Sequence, residues 1–175
     1  MVDDAIRDAE SYAKHGGLDG FALCADYCFN TGPFLSPNMF AEFITPYLAR
    51  LTRAYRDLGF YVIKHTDGNI MSILDMIVGT GIDGLNPLEP VAGMDIGLLK
   101  ERYGGRIALV GNIDCGYLLS QAPPEEVRQV TRQTIRVAAP GGGYCLSSSN
   151  SIHSSVKPEN FMAMIETWRE CREYG

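Results

Sequence analysis

Short apolar runs alternate with stretches of helical spacing along most of the chain, and this alternation limits the possible folds more than any other feature of the sequence. In each helical stretch, apolar residues recur every three or four positions, which is typical of an amphipathic helix packed on one side. A further helix is predicted over residues 3–15, before the first apolar run. The alternation predicts an α/β fold with a parallel sheet covered by helices. The five predicted strands are 21–25, 60–64, 82–85, 107–110 and 143–146.

Helical stretches follow all five predicted strands. The longest is predicted over 37–58, with Ser36 as its N-cap, Pro37 at its first position and Gly59 at its end. The four helices that follow it are predicted to begin near Asn69, Met94, Pro124 and Pro158. In the last of these, Trp168 is predicted to point inward. The apolar stripe of the longest helix consists of Phe40, Phe43, Ile44, Tyr47, Leu48, Leu51, Tyr55 and Leu58.

Polar residues follow each predicted strand, where the carboxyl ends of a parallel sheet would meet. Two architectures fit the alternation: an open doubly wound sheet and part of a (β/α)8 barrel. No GxGxxG or GxxxxGK[ST] turn is present, which argues against the nucleotide-binding form of the open sheet. Barrels carry their chemistry at the carboxyl ends of the strands, so the polar ends favour one shared active face. The polar segments are 26–27, 65–69, 86–89, 111–114 and 147–150.

The most informative segment runs from Lys64 to Ile70. A strand period of two places His65 and Asp67 on the same side of the chain. A histidine and a carboxylate at this spacing can bind a metal together, or act as a base with its orienting acid. The alternative for Asp67 or Asn69 is a cap on the next helix.

Other strand ends leave two interpretations open. Asn112 can hydrogen-bond a substrate oxygen or the backbone of a neighbouring strand, while Asp114 fits a loop or cap. The segment from Ser147 to His153 can bind an anion or a carboxylate, or its hydroxyls can satisfy their own backbone. Asp26 can exchange a proton with a substrate or anchor the loop that follows it.

Charge, hydropathy and cysteine usage exclude several functions. The chain of 175 residues carries 15 Lys+Arg against 21 Asp+Glu, a net charge of −6, which argues against non-specific nucleic-acid binding. No apolar run approaches the ~20 residues of a membrane span, and the polar start does not resemble a secretory signal. Five cysteines without a CxxC pair indicate a reducing cytoplasm.

The ordered set of strand-end motifs resembles the uroporphyrinogen decarboxylase superfamily. The likeness runs from about residue 20 to the end, and the family fold is a (β/α)8 barrel. One branch of the family decarboxylates uroporphyrinogen without metal or organic cofactor. The other branch uses zinc to activate a thiol acceptor for a methyl group carried by a corrinoid. The motifs are 26–27 with 32–37, 65–69, 84–89, 111–114, and 149–150 with 156–160.

The resemblance carries over to single positions. His65 matches the metal histidine, and Asp67 stands where that pair has its cysteine. Asn150 stands where the methyltransferases have a later cysteine and the decarboxylases a histidine. Asp26 lies near an active-site serine or acid. The resemblance thus implies that Asp26, His65, Asp67 and Asn150 are catalytic. It also implies a zinc site at His65 and Asp67, in which a carboxylate oxygen is a harder ligand than the cysteine thiolate it replaces. It implies substrate contacts at Tyr27, Asn69, Asn86, Glu89, Asn112, Ser148 and His153.

The resemblance predicts one domain over 1–175, equivalent to strands four to eight of the barrel, with a leading helix in 1–20. The predicted activity moves a methyl group between a corrinoid, free or on a corrinoid protein, and a thiol or related acceptor. A porphyrinogen decarboxylase is the alternative, and its few basic carboxylate binders would be Lys64, Arg106 and Arg136. A truncated, non-catalytic half-barrel is the third hypothesis. Two open strand edges predict a homo-oligomer for a half-barrel on its own.

Overall fold

The computed structural model describes residues 1–172, so the last three positions of the predicted domain lie outside the described residues. The chain divides into two compact units, Met1–Leu85 and Asn86–Gly175. Helix and strand alternate in both units, which confirms the predicted α/β class. The prediction of one domain over 1–175 stays a prediction. None of the helices within residues 1–172 is long and apolar enough to cross a membrane.

The first unit is built on two parallel strands. Strand β1 pairs with β4 in a register that runs from Gly20 opposite Tyr61 to Cys24 opposite His65, and β5 follows β4 in the sheet order. Between β1 and the next helix, β2 and β3 form a short antiparallel hairpin. The elements are α1 (Val2–His15), β1 (Gly20–Cys24), β2 (Cys28–Phe29), β3 (Gly32–Pro33), α2 (Pro37–Phe43), α3 (Thr45–Asp57), β4 (Tyr61–His65), α4 (Leu74–Gly79) and β5 (Gly84–Asn86).

The two faces of the β1–β4 pair differ in burial, because successive residues of a strand point to opposite sides. Val62 and Lys64 on one face are fully buried. On the same face, the centre of the Phe21 ring lies 4.7 Å from the centre of the Tyr55 ring, which belongs to helix α3. Tyr61, on the other face, is 67% exposed. The core of the first unit therefore lies on the helix side of the strands.

The long helix predicted over 37–58 is two helices, α2 and α3, which meet at Ile44. Pro46 lacks an amide N–H and its ring crowds the carbonyl four residues earlier, so a continuous helix is disfavoured there. Ser36 caps α2 as predicted, since its Oγ accepts a hydrogen bond from the Met39 N–H. The break also changes the stripe: Phe43 and Tyr47 are about half exposed rather than buried.

The helix predicted from Asn69 begins later, at Leu74. The Asn69 side chain accepts a hydrogen bond from the Met71 N–H at 3.1 Å, which closes a local turn instead of starting the helix. Ile70 and Ile73, three positions apart in this predicted helical stretch, are nevertheless buried.

The second unit also contains parallel strands. β6 pairs with β7 from Leu109 opposite Tyr144 to Ile113 opposite Ser148. Helices α6 and α7 pack together, with an ion pair of 2.6 Å between Arg128 and Glu166. The elements are a 3-10 turn (Pro90–Ala92), α5 (Ile96–Tyr103), β6 (Ala108–Ile113), α6 (Pro124–Ala138), β7 (Tyr144–Ser148) and α7 (Pro158–Cys171).

Trp168 was predicted to point inward, but it is exposed. Its side chain is 37% exposed, and Arg172 lies over its ring. The buried stripe of α7 runs instead through smaller side chains at helical spacing, so the tryptophan falls at the margin of that stripe. The buried residues are Asn160, Ala163, Met164 and Thr167.

Candidate functional site

Three potential metal ligands meet at the carboxyl ends of β1 and β4. Asp26, His65 and Asp67 each offer one ligand atom, and these atoms all lie within 4.8 Å of one another. His65 Nε2 is 3.6 Å from Asp67 Oδ1, so the predicted pair is brought together. Both of these side chains are partly buried, whereas Asp26 is exposed. The donor set, which we call the His–Asp–Asp cluster, is one imidazole and two carboxylates.

Hydrogen bonds beyond the last strand pair fix this cluster. The Asp67 N–H donates to Asp26 Oδ1 at 3.1 Å, and the Ala25 N–H donates to the His65 carbonyl at 3.3 Å. The Tyr27 N–H donates to Thr66 Oγ1 at 3.0 Å. The two chain segments are thus joined residue by residue after the strands end, and Asp26 lies beside the predicted pair as a consequence.

The β2–β3 hairpin packs against the turn that follows the cluster. Gly68 has a φ of +86°, and a Cβ there would lie 2.7 Å from the carbonyl oxygens of both Cys28 and Phe29. The Asn69 N–H donates to the Phe29 carbonyl at 2.9 Å. The pattern after Asp26 predicts only a loop here, so the hairpin is a finding of the structure. A glycine between two short apolar stretches was the signal for a hairpin.

Replacing Gly68 by alanine should displace the hairpin and weaken metal binding about tenfold, because groups that support metal ligands typically contribute that much. Gly59→Ala is the matched control: Gly59 also has a positive φ, of +90°, but a Cβ there meets nothing within 4 Å. Isothermal titration of both variants with Zn²⁺ measures the difference. Equal affinities in the two variants would contradict the role assigned to Gly68.

Lys64 lies beneath the cluster, on the buried face of β4. Its Nζ donates to the carbonyls of Leu23 at 3.0 Å, Ala25 at 2.7 Å and His65 at 2.5 Å, and lies 4.3 Å from the centre of the Tyr27 ring. Burial lowers the pKa of Lys64 to about 8, and burial also raises the pKa of Tyr27. Lys64 was predicted to bind substrate carboxylates, but its ammonium is directed at main-chain oxygens. The missed signal was a charged residue at an inward position of an apolar strand.

The comparisons with known proteins agree with this architecture. The sequence model of the uroporphyrinogen decarboxylase (URO-D) family matches residues 21–171. The chain belongs to the URO-D family. Uroporphyrinogen decarboxylase of Thioalkalivibrio sulfidiphilus is 31% identical over 77% of this chain and 38% of its own length. That of Shewanella loihica is 27% identical over 97% of this chain and 48% of its own length. The chain therefore spans about half the length, or less, of these curated relatives.

A methyltransferase from Methanosarcina mazei has a similar structure. The TM-score is 0.78 and the identity 22%, over 98% of this chain and 48% of that one. This likeness shows the predicted fold: the chain has the α/β fold of about half of a URO-D-like (β/α)8 barrel. Named relatives thus include both decarboxylases and a methyltransferase, which are enzymes.

The second unit contains the remaining residues that the URO-D resemblance assigned to the site. Asn112 is buried, and its Nδ2 donates to the carbonyls of Leu88 at 2.6 Å and Met94 at 2.9 Å. Asn112 therefore bonds to main chain, as its second alternative predicted, but to the segment after β5 rather than to a strand. Its contact with a substrate stays a prediction. Asp114 caps its own loop by accepting hydrogen bonds from three N–H groups, those of residues 116, 117 and 118.

The loop after β7 satisfies part of its own hydrogen bonding, as the second interpretation of this segment predicted. Ser148 Oγ donates to the Asn150 carbonyl at 2.7 Å, and Asn150 Oδ1 accepts from the Ser151 N–H at 2.8 Å. His153 Nδ1 accepts from the Ser155 N–H at 3.3 Å. Asn86 ends β5, and Glu89 precedes the 3-10 turn. Catalytic or binding roles for these URO-D motif residues stay predictions.

Thiol reactivity in this URO-D family member should differ sharply between neighbouring cysteines. Cys28 is buried, and burial raises the pKa of its thiol to about 11, so only about one molecule in a thousand carries the reactive thiolate at pH 8. Cys24 and Cys145 are exposed. Iodoacetamide at pH 8 should therefore label Cys28 at least ~10-fold more slowly than Cys24 or Cys145. Peptide mass spectrometry over time measures the rates, and equal labelling of all three would contradict the buried position of Cys28.

Proposed function

We propose that this chain carries the metal-binding reaction centre of a URO-D superfamily methyltransferase. The reaction moves a methyl group between a corrinoid and a thiol or related acceptor. The observation that carries the proposal is the His–Asp–Asp cluster, whose ligand atoms lie within 4.8 Å of one another at the carboxyl ends of two parallel strands. The similar structure named as a methyltransferase supports the same branch.

The donor set fits a divalent cation. Asp26 and Asp67 contribute two negative charges, and His65 contributes a neutral imidazole nitrogen, so a 2+ ion would be neutralised by its ligands. Carboxylate oxygens make the site harder than a thiolate site, so Mn²⁺ and Co²⁺ should also bind, with Mn²⁺ the weaker of the two. When bound, the ion would stabilise the acceptor thiol as its thiolate at neutral pH.

The chain's own residues orient the ligands for this role. The Asp67 main-chain N–H holds Asp26 Oδ1, and β4 presents the His65 imidazole next to Asp67. The exposed position of Asp26 leaves one side of the cluster open to solvent, where an acceptor thiol can approach. In the reaction, the acceptor sulfur donates the electron pair of the new S–C bond, the cobalt of the corrinoid keeps the pair of the broken Co–C bond, and the thiol proton is released to solvent.

Metal analysis of protein purified without chelator tests the proposal directly. We expect about one Zn²⁺ or Mn²⁺ per chain by plasma mass spectrometry, and ligand-field absorption when Co²⁺ is added to chelator-treated protein. With methylcobalamin and a thiol, we expect loss of the methylcobalamin spectrum and formation of the thioether. Absence of both metal binding and methyl transfer would overturn the proposal.

The names of the curated relatives favour a second candidate function, the decarboxylation of porphyrinogen acetates. This reaction needs cationic side chains that bind the substrate carboxylates. Lys64 is fully buried and directed at main-chain carbonyls. Turnover of uroporphyrinogen by the metal-free protein would favour the decarboxylase, and its absence together with metal binding would favour the methyltransferase. Absence of both activities together with absence of metal would favour the non-catalytic half-barrel.

Three expectations about the surroundings of the protein stay predictions. They are a corrinoid protein or a tetrapyrrole as binding partner, a homo-oligomer, and a cytoplasmic location. The exposed face of the β1–β4 pair, with Tyr61 67% and Ile63 37% exposed, supports association with a second copy, because exposed apolar sheet faces favour pairing.

A further inference from the structure

Lys64 is a fully buried cation at a position that the proposed chemistry does not use. It lies in β4, next in sequence to His65, and points to the opposite face of the sheet. Burying an ammonium group is costly unless it is paired or hydrogen-bonded, so its partners explain why it is tolerated.

Those partners are all main-chain oxygens at the two strand ends that carry the cluster. A lysine ammonium has three N–H donors, and Lys64 directs them to three carbonyls, those of Leu23, Ala25 and His65. Leu23 is in β1, and Ala25 directly precedes Asp26, whereas the His65 carbonyl belongs to β4. The ammonium therefore joins the chain segment of Asp26 to the chain segment of His65 and Asp67.

We propose that Lys64 is a positioning residue of the His–Asp–Asp cluster. Its ammonium holds the segment around Ala25 against the end of β4, and this places Asp26 Oδ1 on the Asp67 N–H and within ligand distance of His65. Asp26 lies beyond the last β1–β4 residue pair, where the Lys64 ammonium adds its bonds to the few hydrogen bonds that join the two segments. The metal part of this inference rests on the proposed function, whereas the positioning part does not.

Lys64→Met is the test variant, because methionine has a similar length and apolar stem but no donors. Val62→Ala is the matched control: Val62 is on the same strand and the same face, is also fully buried, and is two residues away. The first measurement is hydrogen exchange of the Asp67 amide by NMR on the metal-free chain. In Lys64→Met, we expect the protection factor of the Asp67 amide to fall at least ~10-fold more than the protection factors of amides in the centre of β4. In Val62→Ala, we expect the protection factors of the Asp67 amide and of those β4 amides to change by the same factor.

The second measurement is the Co²⁺ dissociation constant, which we expect to rise about tenfold or more in Lys64→Met and to change less than twofold in Val62→Ala. Unchanged Asp67 protection in folded Lys64→Met would overturn the inference. If the methionine variant does not fold, Lys64→Gln, which keeps an amide donor, replaces it, and failure of both to fold would also overturn a specific positioning role. Wild-type protein that binds no metal would refute the proposed function, and the exchange result would then decide the role of Lys64 alone.

Discussion

Replacing Asp67 by asparagine should reduce divalent-metal affinity roughly 100-fold or more, because loss of an outer-shell group alone costs 10–100-fold. Asparagine has nearly the same shape but no negative charge, so one anionic ligand of the His–Asp–Asp cluster is lost. The main-chain N–H of residue 67 is unchanged in this variant and can still donate to Asp26. Methyl transfer to a thiol acceptor should fall in parallel.

Asp57→Asn is the control for this change, since it removes one carboxylate from the end of helix α3, at an exposed position. Co²⁺ titration with competition by a chelator of known affinity measures both variants, and circular dichroism checks that both are folded. An Asp67→Asn protein that binds Co²⁺ as tightly as the control would refute the metal role of Asp67. Loss of binding in both variants would point to long-range charge effects instead of direct ligation.

Replacing Gly111 by alanine should destabilise the second unit by about 3–5 kcal/mol or prevent its folding, which places this substitution among the most damaging single changes. A Cβ at Gly111 would lie only 1.8 Å from the Pro87 carbonyl oxygen, and the backbone there has a φ of +126°. The next residue, Asn112, holds the Leu88 carbonyl through its side chain, so the segment around Pro87 cannot move away without losing that bond.

Gly141→Ala is the matched control for Gly111→Ala. Gly141 belongs to the same unit and has a φ of +76°, but a Cβ there meets nothing within 4 Å. Its replacement should cost only about 1–2 kcal/mol, the usual penalty for a left-handed residue with a Cβ. Urea unfolding followed by circular dichroism measures both. Similar midpoints for the two variants would show that the contact with Pro87 has little effect.

Local pattern predicted much of the fold. The apolar runs and helical stripes predicted all five βα units, and the observed bounds differ mostly by one or two residues. The larger errors have local causes that were visible in the sequence: Pro46 divides one helix, and Asn69 closes a turn before another. Trp168 was misplaced because helical spacing alone does not show where the centre of a buried stripe lies.

The candidate site was predicted only in part. The spacing of His65 and Asp67 indicated that they lie together, and their side chains are 3.6 Å apart. That Asp26 completes a set of three ligand atoms could not be deduced from spacing, because it depends on the register between β1 and β4. A shift of that register by one residue would turn the side chains to the opposite face.

The order of helices and strands and the polar character of the strand ends follow from local sequence, because apolar periodicity and turn residues act over a few neighbouring positions. Two features of the site depend on the packed chain: Asp26 meets Asp67, 41 residues further along, and the Lys64 ammonium bridges the same two segments. Strand register and burial arise from contacts between distant segments, which local sequence patterns do not contain. Those contacts turn an ordinary inward lysine and a loop aspartate into parts of one site.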